Sequence, residues 1–323
     1  MRTKNTTGSL GQAGVFERFR SGLSALMASF DILKLEEQAA ILTLPLLMLY
    51  VQAKWYVEIP VVALCVMGLI FHTIRHSAYF WFALVCFMAA GIYFSWEVSD
   101  NHKYAICYWC LSIFFIKWMK AGEAELRTSA RLLLGFIFAF AVGWKLASPD
   151  FMNGDFFQYN FLFDKRFSGK FELIGLLDPQ ILEKDLIAQK ALINYGSNLS
   201  TVNILKPEGW QTMAVALAWW TIFLEGLIAL CFLLPERIRL AGMGDYLLMI
   251  FIASTYVVAP VIGFGWLLIT MGVIGCKPER RKTRFLYLAV LLLLLLFRLP
   301  WVRVVDSFSR PGQGIEIAIS LFK

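Results

Sequence analysis

A lysine that stands within an apolar run needs an explanation. In "FAVGWKLASPDFMNG", residues 140–154, Lys145 lies inside the hydrophobic stretch, and Pro149 follows where a helix would stop. A lysine close to a bilayer either extends its amine to the interface or is retained for chemistry. Taken alone, Lys145 is more typical of the first case. Its neighbours in the fold therefore decide which of the two applies.

Two further ionisable side chains lie in or beside apolar runs. Glu225 is near the middle of "WWTIFLEGLIALCFLLP". A carboxylate there must face the interior of a helical bundle, pair with a cation or be protonated, so a functional role is the default hypothesis for it. His102 begins another apolar run in "SDNHKY". The simplest interpretation is a helix cap formed by Ser99, Asp100 or Asn101, followed by an interfacial histidine.

The cysteine and histidine patterns offer redox and metal chemistry. Cys107 and Cys110 form a CxxC pattern inside an apolar run, which is typical of packing and less often of a thiol redox pair. His72 and His76 share a helix face, but no acidic third ligand is evident near them. We therefore predict that these histidines are interfacial and expect no metal site.

Composition limits the class of protein. The 323 residues are 59% hydrophobic, against about 45–50% in soluble domains, and the mean hydropathy is +0.65. This composition predicts an integral membrane protein whose first partner is the lipid bilayer. The net charge of +7 does not indicate nucleic-acid binding, because the basic residues lie between apolar runs, where they orient membrane helices.

Apolar runs long enough to cross a membrane recur along the chain. They predict an all-α bundle of about nine transmembrane helices with a helical extracytoplasmic loop. The predicted spans are 37–53, 58–74, 78–96, 103–119, 130–147, 212–234, 244–259, 261–276 and 284–299. Pro260, Gly263 and Gly265 leave open that the seventh and eighth runs are one broken segment.

The distribution of basic residues predicts the orientation of the bundle. A cytoplasmic N-terminus puts most lysines and arginines on the cytoplasmic side and leaves only Lys54 and Lys103 in the short outer loops. Residues 1–36 are then a cytoplasmic amphipathic segment and residues 37–300 a multi-pass domain, in the inner membrane if the cell is bacterial. The loop 147–212, the tail 301–323 and the helix ends that bear His102 and Lys145 face outside.

Two of these segments together carry a family resemblance. "DNHKYAICYWCLSIFF", followed by "FAVGWKLASPDFMNGDFF", resembles the horizontally transferred transmembrane (HTTM) domain family, which includes the membrane core of vitamin K-dependent gamma-glutamyl carboxylase. The chain departs from the family at Phe151, where tryptophan is usual, and at Asp245, where many relatives carry histidine. We also expect no counterpart of the large luminal domain of the carboxylase. The matching residues are Asn101, His102, Tyr104, Gly143, Lys145, Leu146, Asp150 and Gly154.

The resemblance implies a quinol-dependent oxygenation or carboxylation. In the family, the lysine that matches Lys145 deprotonates a reduced naphthoquinone, and the histidine that matches His102 assists. An amine at the edge of a low-dielectric site is a usable base, and a quinol can enter from the lipid. We expect Asn101, Asp150 and Glu225 to bind substrate or tune the site. The expected partners are the quinol, a peptide or protein substrate on the outer face, and a membrane complex.

Two alternatives stay open at this point. The hypothesis that ranks second, nearly level with the enzyme, is a non-enzymatic membrane scaffold or accessory subunit that kept the fold, its polar residues satisfying one another. The other alternative is a thiol–quinone oxidoreductase that uses Cys107 and Cys110. This third hypothesis ranks last, because the outer loops lack the second cysteine pair that would pass electrons onward.

Overall fold

A computed structural model describes most of the hydrophobic part of the chain. It covers residues 28–50, 54–164, 209–258 and 261–296, together with residues 22, 25, 183, 184 and 187. Within these residues the secondary structure is helical, and none of them forms a strand. The all-α prediction is thereby confirmed for the part of the chain that is described.

The described helices follow the predicted apolar runs closely. Each of the nine predicted spans overlaps at least one helix, the span 58–74 overlaps two, and the seventh and eighth runs form two separate helices. The helices are α1 (Leu35–Tyr50), α2 (Trp55–Ile70), α3 (His72–His76), α4 (Ala78–Phe94), α5 (Asn101–Trp118), α6 (Glu123–Ala147), α7 (Pro149–Met152), α8 (Asp155–Phe163), α9 (Trp210–Leu233), α10 (Gly244–Val258), α11 (Ile262–Gly275) and α12 (Arg281–Leu296).

Two of the described helices are long and apolar enough to cross a membrane. They are α6, with 25 residues, and α9, with 24. At 1.5 Å per residue such helices reach about 36 Å, more than the roughly 30 Å of hydrocarbon in a bilayer. Helices α1 and α2 have 16 residues each and reach only about 24 Å. The described structure therefore supports two spans, and the count of about nine stays a prediction.

The chain divides into two compact units. The first unit comprises residues 1–128 and 273–286, and the second comprises residues 129–272 and 287–323. In the first unit α1 packs against α2, α2 against α4 and α4 against α5. Leu44, Trp81, Leu84 and Trp109 are fully buried there, and the Trp109 indole N–H donates to the Thr43 hydroxyl over 2.8 Å.

The second unit is centred on α9. This helix packs against α7, α8 and α10. Gly135 of α6 lies so close to α9 that an added Cβ would come within 2.6 Å of the Leu233 side chain. The Phe138 and Phe251 rings meet edge to face at 5.0 Å. Close packing of this kind fixes the register in which α6 and α9 present their few polar groups.

Several predicted segments lie outside the described residues. They are most of the N-terminal segment 1–36, the loop from residue 165 to 208 apart from three positions, and the tail 301–323. The apolar pattern of "FELIGLLDPQILEKDLIAQKAL", which predicts a helix in that loop, also lies outside the described residues apart from those three positions. Helices α7 and α8 are the described start of the predicted loop 147–212.

Candidate functional site

Lys145 is paired with Glu225 in the second unit. The Lys145 ammonium donates a hydrogen bond to Glu225 Oε2, and the two groups form an ion pair. The Lys145 side chain is 18% exposed and the Glu225 side chain 6%. A lysine that only reached for the interface would direct its amine to solvent. Here the amine is directed to a carboxylate on a neighbouring helix instead.

The chain after Lys145 folds back over α9. Helix α6 ends at Ala147, and Pro149 takes the first position of α7, where the missing N–H of a proline does no harm. Gly154 then adopts a φ of +86°, which turns the chain into α8. A Cβ at Gly154 would lie 2.9 Å from the Val215 backbone nitrogen, so the close approach to α9 requires glycine.

Phe151 closes one side of the ion pair. Its ring centroid lies 5.4 Å from Lys145 Nζ, within the range of a cation–π contact. Phe151 is buried with Ala218 and Ile222 of α9. The position where the HTTM pattern has tryptophan is therefore occupied by another aromatic ring that contacts the lysine.

A polar cluster anchors the fold-back further along the chain. The Gln211 side-chain amide donates to the Asn153 carbonyl over 2.6 Å, and the Gln158 amide donates to Gln211 Oε1. The Asn153 side-chain oxygen accepts the Asp155 backbone N–H at 3.0 Å, which starts α8. These bonds hold α7 and α8 against the start of α9 and so fix the position of Phe151.

The two aspartates singled out in this region lie elsewhere. Asp150 is exposed in the first turn of α7, and the ion pair of Lys145 is with Glu225 and not with Asp150. Asp245, which departs from the family pattern, is buried, and its carboxylate accepts the Tyr287 hydroxyl over 3.1 Å. The role expected for Asp150 in binding substrate stays a prediction.

His102 belongs to a separate cluster in the first unit. Asp100 is the N-cap of α5 and accepts the Lys103 backbone N–H, as the simplest interpretation of "SDNHKY" predicts. His102 Nδ1 lies 3.7 Å from Asp100 Oδ2, and the Tyr50 hydroxyl contacts both groups, at 3.3 Å from Asp100 Oδ2 and 3.4 Å from His102 Nδ1. Asn101 is exposed in the first turn of α5.

The surroundings of Asp100 favour its charged form. Its contact with His102 is the largest influence that lowers the pKa of this carboxyl below its ordinary value, and the bonds from Lys103 and Tyr50 act in the same direction, against partial burial. Because His102 belongs to one unit and Lys145 to the other, the assistance that the family resemblance implies for His102 stays a prediction.

The CxxC pair has the surroundings of packing residues. Both cysteines carry free thiols, and Cys110 is completely buried in α5. A redox thiol needs access to its partner and surroundings that favour the thiolate. Because Cys110 is buried, it has neither access to a redox partner nor surroundings that favour the thiolate. This weakens the thiol–quinone hypothesis.

The structure brings a carboxylate to the histidine pair that the sequence interpretation left without one. Glu37 lies beside both His72 and His76 and forms the third member of their cluster. The premise that no acidic ligand is nearby is therefore wrong. The spacing of the histidines was visible in the sequence. Their partner was not, because Glu37 precedes His72 by more than thirty residues and reaches it only through the packing of α1.

Comparisons of the chain with family models, with curated proteins and with solved structures found no match.

Proposed function

We propose that the chain is a multi-pass membrane protein in which Lys145 acts as a general base on a lipid-soluble quinol, in a carboxylase-like oxygenation of the HTTM type. The observation that carries this function is the Lys145–Glu225 pair, which is largely buried on two apolar helices beside the Phe151 ring. An amine and a carboxylate in direct contact form a unit that can accept and return one proton.

The residues around the pair fit a reduced naphthoquinone. The aromatic ring of the quinol would stack on the Phe151 ring, and its hydroxyl would hydrogen-bond to the Lys145 amine. The outward side of the same helices is apolar and aromatic, with Trp144 77% exposed and Trp219 and Trp220 about half exposed. Such a surface suits entry of a hydrophobic molecule from lipid. When bound, a reduced naphthoquinone would supply acidic hydroxyl groups and the electrons that reduce dioxygen.

Each residue of the site has a distinct task. The Lys145 ammonium first passes a proton to the Glu225 carboxylate, and the amine that this leaves accepts the hydroxyl proton while the O–H bonding electrons stay on the oxygen. Glu225 later gives back the proton that it holds. Phe151 excludes water, which strengthens both interactions. The family resemblance implies that His102 assists, and we expect Asn101 and Asp150 to bind substrate or tune the site.

The membrane arrangement completes the proposed function. The nine helices span the bilayer with the N-terminus in the cytoplasm, and the site opens to the outer face, where a peptide or protein substrate or a further membrane subunit can reach it. Reporter fusions after residues 125 and 180 test this topology. We expect the first to report the cytoplasm and the second the outside, and reporters on the same side would contradict it.

The base is tested in proteoliposomes supplied with reduced naphthoquinone, with dioxygen consumption as the measurement. We expect Lys145→Ala and Lys145→Arg each to lower the rate by about 10²-fold or more, because neither side chain can accept a proton at that position. Lys117→Ala is the matched control, since Lys117 also ends an apolar helix and pairs with a glutamate, Glu36, over 2.5 Å. Equal rates in the Lys145 and Lys117 variants would contradict the proposed base.

A non-enzymatic scaffold is the second candidate, and the same ion pair favours it, because each partner satisfies the charge of the other. The double variant Lys145→Glu, Glu225→Lys separates the two functions. It restores an ion pair between α6 and α9 but moves the amine. A scaffold would regain its stability and its complexes in this variant. A base that acts from position 145 would regain stability without regaining quinol-dependent dioxygen consumption.

A further inference from the structure

Three potential metal ligands converge in the first unit, whereas the Lys145 pair belongs to the second. His72 and His76 lie one turn apart on α3, and their Nε2 atoms are 3.0 Å from each other. Glu37, in the first turn of α1, directs Oε1 at both rings: His72 Nε2 is 3.1 Å from it, and His76 Nε2 also contacts it. Three atoms with lone pairs therefore face one small volume.

The arrangement matches the geometry of a metal site. Zinc bonds of about 2.0–2.1 Å to nitrogen or oxygen in a tetrahedron place neighbouring ligand atoms about 3.3 Å apart. The His72–His76 and His72–Glu37 separations are within a few tenths of an ångström of that value. His76 and Glu37 would move apart slightly as an ion entered between them. A divalent cation satisfies all three lone pairs at once, whereas one proton satisfies only two of them.

Arg75 holds the carboxylate in the orientation that a ligand needs. Its Nε and Nη2 both donate to Glu37 Oε2, at 2.8 and 2.5 Å, which leaves Oε1 for the histidines. Arg75 is itself fixed by the Gly68 and Leu69 carbonyls, and its own carbonyl accepts the indole N–H of the buried Trp81. An outer group that orients a ligating carboxylate in this way is a regular feature of metal centres.

The charges around the cluster are balanced. The Arg75 guanidinium opposes a cation, and Glu36 favours one, since its carboxylate lies 4.0 Å from His76 Nδ1. Glu36 is in turn paired with Lys117. Among the residues that the structure describes, Glu37 supplies the one carboxylate oxygen that faces both imidazole Nε2 atoms.

Exposure increases across the three ligands in one direction. The side-chain exposure is 7% for Glu37, 33% for His76 and 64% for His72. An ion can therefore enter from the His72 side, and water can hold its remaining coordination position. Three protein ligands of the two-histidine, one-carboxylate type with an open position are characteristic of reactive zinc sites, whereas closed four-ligand sites are structural.

We propose that Glu37, His72 and His76 bind one divalent first-row transition-metal ion of the zinc type. Imidazole and carboxylate ligands also accept the neighbouring ions of the series, so Zn²⁺ serves as the probe and Co²⁺ as its spectroscopic substitute. The site is independent of the quinol chemistry proposed for Lys145.

Calorimetric titration of the full-length, detergent-solubilised and chelator-treated protein with Zn²⁺ alone tests the site. We expect one ion per chain and, in the His72→Ala and His76→Ala variants, at least about tenfold weaker binding. His102→Ala is the matched control, because His102 is the remaining histidine of the chain, and it should bind Zn²⁺ as the parent does.

Two further observations decide the outcome. Co²⁺ bound to the parent should give the visible absorption of a low-coordinate site, and His72→Ala should abolish it. Because His72 is mostly exposed, its replacement leaves the fold intact, whereas Glu37→Gln also removes the partner of Arg75. Failure of the parent to bind Zn²⁺, or a His72→Ala variant that binds it as the parent does, would overturn the proposed site.

Discussion

Lys145 and Glu225 are 80 residues apart in the sequence, and in the fold the ammonium of one contacts the carboxylate of the other. The lysine at the end of α6 is thus held by a charge in the middle of α9. The carboxylate has the cation that its position in an apolar helix demands. Each residue explains why the other is tolerated, and both are oriented by the packing of α6, α7 and α9.

This pairing predicts strong energetic coupling between the two residues. Lys145→Met and Glu225→Gln remove the charges with little change of volume, and each single variant leaves the other charge buried without its partner. In a double-mutant cycle on the free energy of unfolding, we expect a coupling energy of about 1–3 kcal/mol. Lys145→Met combined with Asp245→Asn is the control and should be additive within about 0.5 kcal/mol, since Asp245 bonds to Tyr287 instead.

The helices themselves could be predicted from the sequence, because the charges, glycines and prolines that bound an apolar run mark where the helix begins and ends. The predicted span 212–234 corresponds to α9, Trp210–Leu233, and 78–96 corresponds to α4, Ala78–Phe94. Lys145 and Glu225 could also be identified as residues that need a partner, since isolated charges in apolar runs are costly.

The partners could not be predicted. A contact between residues far apart in sequence depends on which helix faces pack together, and periodicity says little about that when a helix is apolar on all sides. For this reason the sequence alone pairs neither Glu225 with Lys145 nor Glu37 with His72 and His76. The predicted span 58–74 differs from the structure for another reason, since its hydropathy extends through Phe71, whose extended backbone conformation ends α2.

Gly154 gives a prediction about the turn that carries Phe151. Gly154→Ala combines the cost of a left-handed conformation, about 1–2 kcal/mol, with a steric conflict against the Val215 backbone. We expect it to lower the free energy of unfolding by more than that strain alone and to weaken quinol-dependent dioxygen consumption, because α7 must shift away from α9.

Variants at two other glycines distinguish the cost of the left-handed backbone conformation from the cost of steric contact with a neighbouring helix. Gly209 has a φ of +80° with nothing within 4 Å of an added Cβ, so Gly209→Ala should show only the conformational cost. Gly143 lies inside α6 with equally open space, and Gly143→Ala should be neutral or stabilising by up to about 1 kcal/mol. If Gly154→Ala is no more destabilising than Gly209→Ala, the close approach to Val215 does not constrain the turn.

The lowered pKa of Asp100 predicts that the first unit loses stability in acid. The pKa of Asp100 is lower in the folded protein than in the unfolded chain. Its contribution is therefore present above the unfolded pKa, about 3.9, and is lost as the pH falls through the folded value. Asp100→Asn keeps a capping oxygen but does not titrate. The stability difference between parent and Asp100→Asn should be larger above the unfolded pKa than in acid, where the contribution of the charged carboxylate is lost. A pH-independent difference would contradict this assignment.

The last prediction concerns Cys107 and Cys110 of α5. If these residues only pack, Cys110→Ala should cost about 1 kcal/mol, as expected for a small cavity, and Cys65→Ala should cost a similar amount, because Cys65 is another completely buried cysteine of the first unit. Quinol-dependent dioxygen consumption should stay within a few-fold of the parent in the Cys107→Ala and Cys110→Ala variants. A loss by orders of magnitude in these two variants alone, with folding intact, would give the pair a redox role. Burial argues against that role, because Cys110 cannot exchange electrons with a thiol or a quinone that does not reach it.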